Sequence, residues 1–367
     1  MTAPHPALSR LASLSAGPVE DVGDEGAFLA SVSEHRMTAV ALAAHEQGRL
    51  ALSPSGRTTL AMWQLAERRR HLGFWQALRE VQSRLTPMGV EVAVLKGIAT
   101  EARWYDELGQ RAATDLDLLL SPAALDRAVE VARRLDPGRG CSDQIDWLVR
   151  RRLLQHVDLR LGSTQIDLHF DPFKIGIPTR QLDTVWDTTE LLETPHGPIL
   201  VLRPEIELVL LLLHLNKDRF AFLGPFLDVR RMLDRAGLDW GFLEGFVAAE
   251  GLAVPVWRSL AAVAVTLELD VGVPRISGLR PRTWERLWGA GARLQGDEGR
   301  LRAPSVQPFL AAHARHRTAD NLRELRRRLL PPRQLLAVAG RLDPGRSYAR
   351  HLVSAPFRRS HGMERVS

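Results

Sequence analysis

"RAATDLDLLL" (111–120) places two aspartates, Asp115 and Asp117, in a segment whose leucines favour a buried β-strand. Ionised carboxylates are costly in a strand interior unless a partner compensates them. Side chains two residues apart on a strand project from the same face, about 6.5 to 7 Å apart at the backbone. The two carboxylates therefore converge on one region, and they repel each other unless a cation lies between them.

The chemistry of this pair points to a metal ion. Carboxylate oxygens on a rigid strand suit Mg²⁺, which completes its coordination with water and substrate phosphates. A third carboxylate would allow two ions about 3.5 to 4 Å apart, as in phosphoryl and nucleotidyl transfer. Asp167, in "TQIDLHF" (164–170), is the best candidate for it. An edge strand with one solvated face also produces Asp-x-Asp, so the motif alone leaves both interpretations open.

The sequence also predicts a β-hairpin around Asp167. "QHVDLRL" (155–161) and "TQIDLHF" (164–170) are separated by a Gly-Ser dipeptide, which is the spacing of a two-residue turn. This turn gives the hairpin one polar face and one apolar face. The polar face has two opposed pairs: Asp158 with Asp167, and His156 with His169.

A phosphate-binding turn is predicted upstream. "VEVAVL" (90–95) alternates as a strand, and Lys96 and Gly97 follow it. Glycine lets a phosphate approach the backbone closely, and lysine supplies charge to it. Arg111 precedes the next strand, within reach of the same place. After that strand, Ser121 and Pro122 predict the start of a helix.

Helical patterns flank this central part, which predicts an α+β fold. Apolar residues recur at spacings of three and four residues over 26–85, with a break at "SPSG" (53–56). Helical patterns return from 203 onward. We expect five regions with these limits: 1–25, a disordered or loose arm; 26–86, an N-terminal helical region; 87–202, the catalytic core; 203–300, a helical domain completing the nucleotide cleft; and 301–367, an Arg-rich helical C-terminal region.

Composition is that of an ordinary globular protein, with 45% hydrophobic and 25% charged residues. The most apolar stretch, "ELVLLLLHL" (207–215), is about half the length of a membrane span. No basic start followed by an apolar run is found in the first 30 residues, so we expect a cytoplasmic protein without a transmembrane segment. The single cysteine, Cys141, is expected to be an inert thiol.

The charge of the chain is unevenly distributed. The net charge is +6, but residues 281–367 hold 18 arginines against 7 acidic residues. In "RELRRRLLPPR" (323–333) the solvated face of an amphipathic helix is favoured over an anion site. Only three of the 49 basic residues are lysines. They are Lys96, Lys174 and Lys217, and their places near the predicted site support a polyphosphate ligand.

These motifs together resemble an uncharacterised nucleotidyltransferase family of the DNA polymerase beta superfamily. "LKG" (95–97), "RAATDLDLLL" and "IDLHF" (166–170) carry the resemblance. The N-terminal helices with His35, the "HLNKDR" and "FLDVRRML" helices and the Arg-rich end extend it over about residues 25–355. It implies a small mixed β-sheet of the polymerase-beta type between helical regions.

The resemblance also implies roles for particular residues. Asp115 and Asp117 become metal ligands, and Asp167 the third carboxylate, which activates the acceptor. The wider superfamily has Gly-Ser or Gly-Gly at the turn and a shorter gap before the aspartates, whereas this chain has Gly97-Ile98 and seventeen intervening residues. Two further sets are expected: nucleotide-binding residues Lys96, Gly97, Arg111 and Lys217, and residues supporting the site, His169, His214 and Asp228.

Several of these residues have equally ordinary interpretations. Lys217 and His214 fit a helix surface as well as a triphosphate contact. For Asp228 a salt bridge is slightly favoured. His169 more often packs against or hydrogen-bonds its sheet neighbours than binds a metal.

The implied reaction transfers a nucleoside monophosphate from a nucleoside triphosphate, with ATP as the default, to an unidentified acceptor such as a sugar or a peptide. Mg²⁺ is the expected cofactor, with two ions, and Mn²⁺ is the alternative. Two alternatives stay open: a non-catalytic nucleotide-binding or partner-binding protein, and a toxin-like enzyme that modifies RNA ends. Nucleic acid is not favoured as a partner, because aromatic residues suited to stacking are scattered in the C-terminal region. A small-molecule kinase is disfavoured, because no glycine-rich loop precedes the acidic motifs.

Overall fold

The computed structural model describes residues 22–138, 143–173, 178–218 and 220–267, and two short strands at 295–297 and 300–302. Four predictions lie outside the described residues: the conformation of residues 1–21, the state of Cys141, the place of Lys174, and the amphipathic helix at 323–333. The domain limits stay predictions as well.

Three helices form the N-terminal part, where helices were predicted. They are α1 (Glu25–Glu34), α2 (Thr38–Glu46) and α3 (Pro54–Leu85), and a 3₁₀ turn (Thr86–Met88) follows. The Ser53 hydroxyl accepts a hydrogen bond from the Gly56 amide at 3.1 Å, and Pro54 occupies the first turn of α3. An N-cap followed by proline fixes the start of this long helix.

A mixed sheet forms the centre of the molecule, as predicted, and it has six strands. Its strands are β1 (Val92–Val94), β2 (Leu116–Leu120), β3 (His156–Leu161), β4 (Thr164–His169), β5 (Glu190–Leu192) and β6 (Ile199–Val201). Their order across the sheet is β3-β4-β2-β1-β6-β5. The β2/β4 and β1/β6 pairs are parallel, and the other three pairs are antiparallel.

The remaining helices connect and cover the strands. They are α4 (Ile98–Trp104), α5 (Ala128–Leu135), α6 (Asp143–Arg150), α7 (Leu182–Asp187), α8 (Pro204–Lys217), α9 (Gly224–Arg235), α10 (Trp240–Glu250) and α11 (Ala253–Thr266). A separate two-stranded ladder pairs β7 (Gln295–Asp297) with β8 (Arg300–Arg302). In the described part of the chain, no helix is long and apolar enough to cross a membrane.

Two local predictions were wrong in detail. Strand β2 begins at Leu116, so Asp115, which was expected within the strand, lies just before it. Val94 pairs with Leu118, and the Leu95 amide still donates to the Asp117 carbonyl oxygen at 3.0 Å. The chain then turns at Gly97, whose φ is +52°. The helix expected after Ser121 begins as a 3₁₀ segment (Pro122–Arg127), and the Ser121 side chain makes no capping hydrogen bond.

The alternation of β2 places each of its faces in a different apolar cluster. Leu116, Leu118 and Leu120 pack with residues of α3 and α5 on one side of the sheet. Leu119 packs on the other side, in the cluster that contains α8. Because side chains alternate along a strand, Asp117 shares the α8 side with Leu119. The carboxylate therefore lies on the side of the sheet where helix α8 packs.

Candidate functional site

Two of the three predicted carboxylates lie side by side on parallel strands. Asp117 of β2 is the register partner of Asp167 of β4, and their relative exposures are only 1% and 3%. In the antiparallel β3/β4 hairpin, Asp158 is opposite Asp167 and His156 is opposite His169, which confirms the predicted turn and register. The sheet thus gathers acidic and imidazole groups within a few ångströms.

His169 contacts the central carboxylate directly. Its Nε2 lies 2.8 Å from Oδ1 of Asp117, and its ring stacks on that of His156 with centroids 5.6 Å apart. The predicted hydrogen bonding of His169 to a sheet neighbour is therefore confirmed. A donor on Oδ1 holds the Asp117 carboxylate in one orientation, as groups behind a metal ligand commonly do.

The donor atoms fit a divalent cation. Ligand atoms of Asp117, Asp167 and His169 all lie within 4.8 Å of one another, and a second group of this kind joins His156, Asp158 and Asp167. Two buried carboxylates in register supply oxygen ligands of the kind that Mg²⁺ and Mn²⁺ take.

Lys96 reaches the same carboxylate from the turn after β1. Its Nζ lies 2.8 Å from Oδ2 of Asp117. Burial lowers the pKa of the Lys96 ammonium, but the charges of Asp117, Asp115 and Asp167 outweigh it, so the net pKa is raised and the lysine stays charged. Both oxygens of Asp117 thus have a nitrogen neighbour, one from Lys96 and one from His169.

Asp115 lies at the edge of this cluster. It is only half-buried, and its Oδ1 accepts a hydrogen bond from the Thr114 hydroxyl at 3.3 Å. Among the described residues, it belongs to neither group of possible metal ligands. Its charge nevertheless acts on Lys96, so the two side chains are close enough to interact. Gly97 lies beside it, since a Cβ atom on Gly97 would stand 3.6 Å from the Asp115 carbonyl oxygen.

Arg111 is held by a buried salt bridge to Asp228 of α9. Its Nε and Nη2 lie 3.0 and 2.9 Å from Oδ2 of Asp228. The Tyr105 hydroxyl donates to the other oxygen of Asp228 at 2.6 Å, and burial together with Asp228 raises the pKa of Tyr105 well above its usual value. The salt bridge predicted for Asp228 is confirmed, and its partner is a predicted nucleotide-binding residue.

A buried acid, Glu101, fixes the Arg111 backbone and was not predicted from the sequence. Glu101 of α4 accepts a hydrogen bond from the Arg111 amide at 3.1 Å, and its other oxygen contacts Nδ1 of His71 on α3 at 2.5 Å. His71 and Glu101 are 0% and 3% exposed. A histidine on the apolar face of a predicted helix was a usable signal, because a buried imidazole needs a partner.

A pocket opens beside the carboxylates, between the sheet and α8. It is lined by Lys96, His169, Pro172, Phe173, Leu210, Leu213, His214 and Lys217. Burial and the nearby charges of Lys96 and Lys217 lower the pKa of His214 well below its usual value. The predicted residues His214 and Lys217 therefore join Lys96 at one pocket, where the two lysines supply positive charge that favours an anion.

The mixed sheet thus carries acids on adjacent parallel strands and has a pocket with two lysines beside them. A family model described as "Uncharacterised nucleotidyltransferase" matches residues 21–268. The chain belongs to this family, so the family resemblance predicted from the motifs is confirmed. The chain is similar to the crystal structure of an antigenic nucleotidyltransferase-like protein from Paracoccidioides brasiliensis, with 13% sequence identity and a TM-score of 0.35. The similarity covers 56% of this chain and 92% of the other. No curated protein matches the chain.

Proposed function

We propose that the protein transfers a nucleoside monophosphate from a nucleoside triphosphate, with ATP as the first candidate, to an acceptor hydroxyl. The observation that carries this proposal is the position of Asp117 and Asp167, in register on parallel strands, beside a pocket lined by Lys96, His214 and Lys217. Acids next to a cationic pocket suit a substrate that arrives as a metal-bound polyphosphate.

Asp115, Asp117 and Asp167 are the proposed ligands of Mg²⁺ or Mn²⁺. Asp117 and Asp167 are buried and in register, and Asp115 lies just before β2, where its charge acts on Lys96. One ammonium, that of Lys96, faces three carboxylates, so the region has an excess of negative charge that a divalent cation would neutralise. The cation supplies charge stabilisation for the transferring phosphoryl group when it is bound.

The side chains divide the remaining work between the acceptor and the triphosphate. Asp167 takes the proton of the acceptor hydroxyl, whose oxygen attacks the α-phosphorus. The bond from that phosphorus to its bridging oxygen breaks, and pyrophosphate leaves. Lys96 and Lys217 bind the phosphates from the pocket wall, and Arg111 adds positive charge nearby while Asp228 fixes its orientation. Positioning and charge contribute most of the rate in such reactions.

Calorimetry with a non-hydrolysable ATP analogue tests the proposal. The wild type is expected to bind the analogue in the presence of Mg²⁺, and Asp115→Asn/Asp117→Asn is expected to abolish metal-dependent binding. Asp106→Asn is the matched control, because Asp106 is an exposed acid paired with Arg235 on the surface. A folded wild type that does not bind the analogue would refute the proposal. Binding without transfer of label from α-labelled ATP to any acceptor, including RNA, would support the non-catalytic alternative.

A further inference from the structure

Lys96 faces two different anion sites at once. Its Nζ is in contact with Oδ2 of Asp117, and its side chain also lines the pocket that contains His214 and Lys217. The side chain is 12% exposed, and Asp117 is 1% exposed. An ammonium in this position has two possible partners, the carboxylates of the sheet and a polyphosphate in the pocket.

We propose that Lys96 exchanges between Asp117 and the bound polyphosphate, and that this exchange makes cation binding and nucleotide binding cooperative. The inference rests on the proposed function and adds a mode of regulation to the same site. Lys96 is a positioning residue in this scheme, since it controls when the carboxylates are available to the cation.

The cation and the Lys96 ammonium compete for one oxygen of Asp117. A divalent cation that takes Oδ2 of Asp117 meets the ammonium of Lys96 at 2.8 Å from the same atom. Two positive charges that close repel strongly in a region with little water. A cation that binds without nucleotide must therefore displace Lys96, and this lowers its affinity.

The pocket gives the displaced ammonium a new partner. Leaving a buried charge without a partner is strongly unfavourable, so Lys96 does not leave Asp117 readily when the pocket holds only water. A triphosphate in the pocket pairs with Lys96 and frees Asp117 for the cation. Coupling of this kind is reciprocal, so the cation must increase the affinity for nucleotide by the same factor.

The residue type is consistent with such an exchange. Lysine carries a compact charge on a flexible four-carbon stem, whereas the rigid fork of arginine favours one fixed partner. The chain contains 49 basic residues of which three are lysines, and two of these line the described pocket. Arg111, in contrast, is held by a hydrogen bond and a second ion-pair contact to a single buried carboxylate.

The first test compares cation binding with and without nucleotide. Affinity for Mn²⁺ alone is measured from the spin resonance of free Mn²⁺, and affinity for the ATP analogue by calorimetry with and without Mn²⁺. Lys96→Met is expected to bind Mn²⁺ alone about 5- to 150-fold more tightly than the wild type, the usual range of such couplings. The cooperativity between Mn²⁺ and the analogue is expected to fall towards one.

Two variants control for a general loss of positive charge. Lys96→Arg keeps the charge and is expected to retain weak binding of Mn²⁺ alone. Lys217→Met removes a charge from the wall of the same pocket, at an exposed position, and is expected to change Mn²⁺ binding less than Lys96→Met does.

A measurement on the wild type covers the case in which Lys96→Met does not fold. Carbon-13 labelling of lysine gives three side-chain signals, and the folded Lys96→Arg variant identifies that of Lys96. The Lys96 signal is expected to shift when the analogue and Mg²⁺ are added together, and much less with Mg²⁺ alone.

The outcomes separate the two proposals. A wild type that binds both ligands, combined with unchanged or weaker Mn²⁺ binding in Lys96→Met, would overturn the exchange and leave the proposed function intact. Full cooperativity in Lys96→Met, or a Lys96 signal that stays unmoved in the ternary complex, would overturn the exchange as well. A wild type that binds neither ligand would overturn the proposed function, and this inference with it.

Discussion

Removing the carboxylate of Asp228 is expected to destabilise the protein strongly. In Asp228→Ala, the Arg111 guanidinium, whose side chain is only 10% exposed, loses the partner of its Nε and Nη2. The partly buried Tyr105 hydroxyl loses its acceptor at the same time. Breaking a buried ion pair by removing one partner costs about 3 to 5 kcal/mol, because the other charge stays buried without compensation.

The assay is urea unfolding, which is compared with that of a matched surface pair. Asp106 and Arg235 form an ion pair near the same helix, but their side chains are 68% and 41% exposed. Asp106→Ala is expected to cost about 0 to 1 kcal/mol, as exposed pairs do. Asp228→Asn, which keeps an acceptor for Tyr105, is expected to fall between the two alanine variants.

A double substitution separates the loss of the pair from the burial of an unpaired charge. Arg111→Met combined with Asp228→Leu is expected to be more stable than Asp228→Ala alone, since no unpaired charge remains inside. The reasoning would be refuted if Asp228→Ala cost no more than Asp106→Ala, or if the double variant were the least stable of the set.

Two further substitutions test the turn and the pocket. Gly97→Ala is expected to lower the free energy of unfolding by about 1 to 3 kcal/mol, because φ is +52° there, although the added Cβ would meet only ordinary contacts, the nearest at 3.6 Å. Gly73→Ala, inside α3 and with open space around it, is expected to raise the free energy of unfolding by about 0.5 to 1 kcal/mol. Equal effects of the two substitutions in urea unfolding would contradict this. His214 has a folded-state pKa well below its ordinary value of 6.5, so it binds fewer protons folded than unfolded, and its contribution to stability is lost as the pH falls below 6.5. The stability of His214→Gln is therefore expected to fall less than that of the wild type between pH 7.5 and pH 5.5, and parallel pH profiles would contradict the assigned environment.

Local signals in the sequence predicted the parts of the site that depend on neighbouring residues. The Gly-Ser dipeptide at 162–163 fixed the β3/β4 register, because a two-residue turn leaves one way to pair the strands. The parallel pairing of Asp117 with Asp167 joins residues 50 positions apart, and no local pattern specifies it. The sequence indicated these two acids through their residue type, and the crossover between the strands placed them side by side.

Other contacts depend on packing that periodicity does not encode. The bond from Arg111 to Asp228 spans 117 residues and needs α9 to pack beside α4. Strands β5 and β6 were missed because their sequences, "ELL" and "ILV", show no alternation of polar and apolar residues. Long-range pairing and short strands without alternation were thus the two kinds of feature that could not be predicted from the sequence.

The two aspartates of the leucine-rich segment are accommodated in different ways. Asp117 lies inside β2, and its burial is compensated by nitrogen atoms of Lys96 and His169 on its two oxygens. Asp115 lies before the strand, half-buried, where its charge acts on Lys96. Both oxygens of the buried acid are thus paired with nitrogen atoms, whereas the half-buried acid keeps contact with solvent at the edge of the cluster.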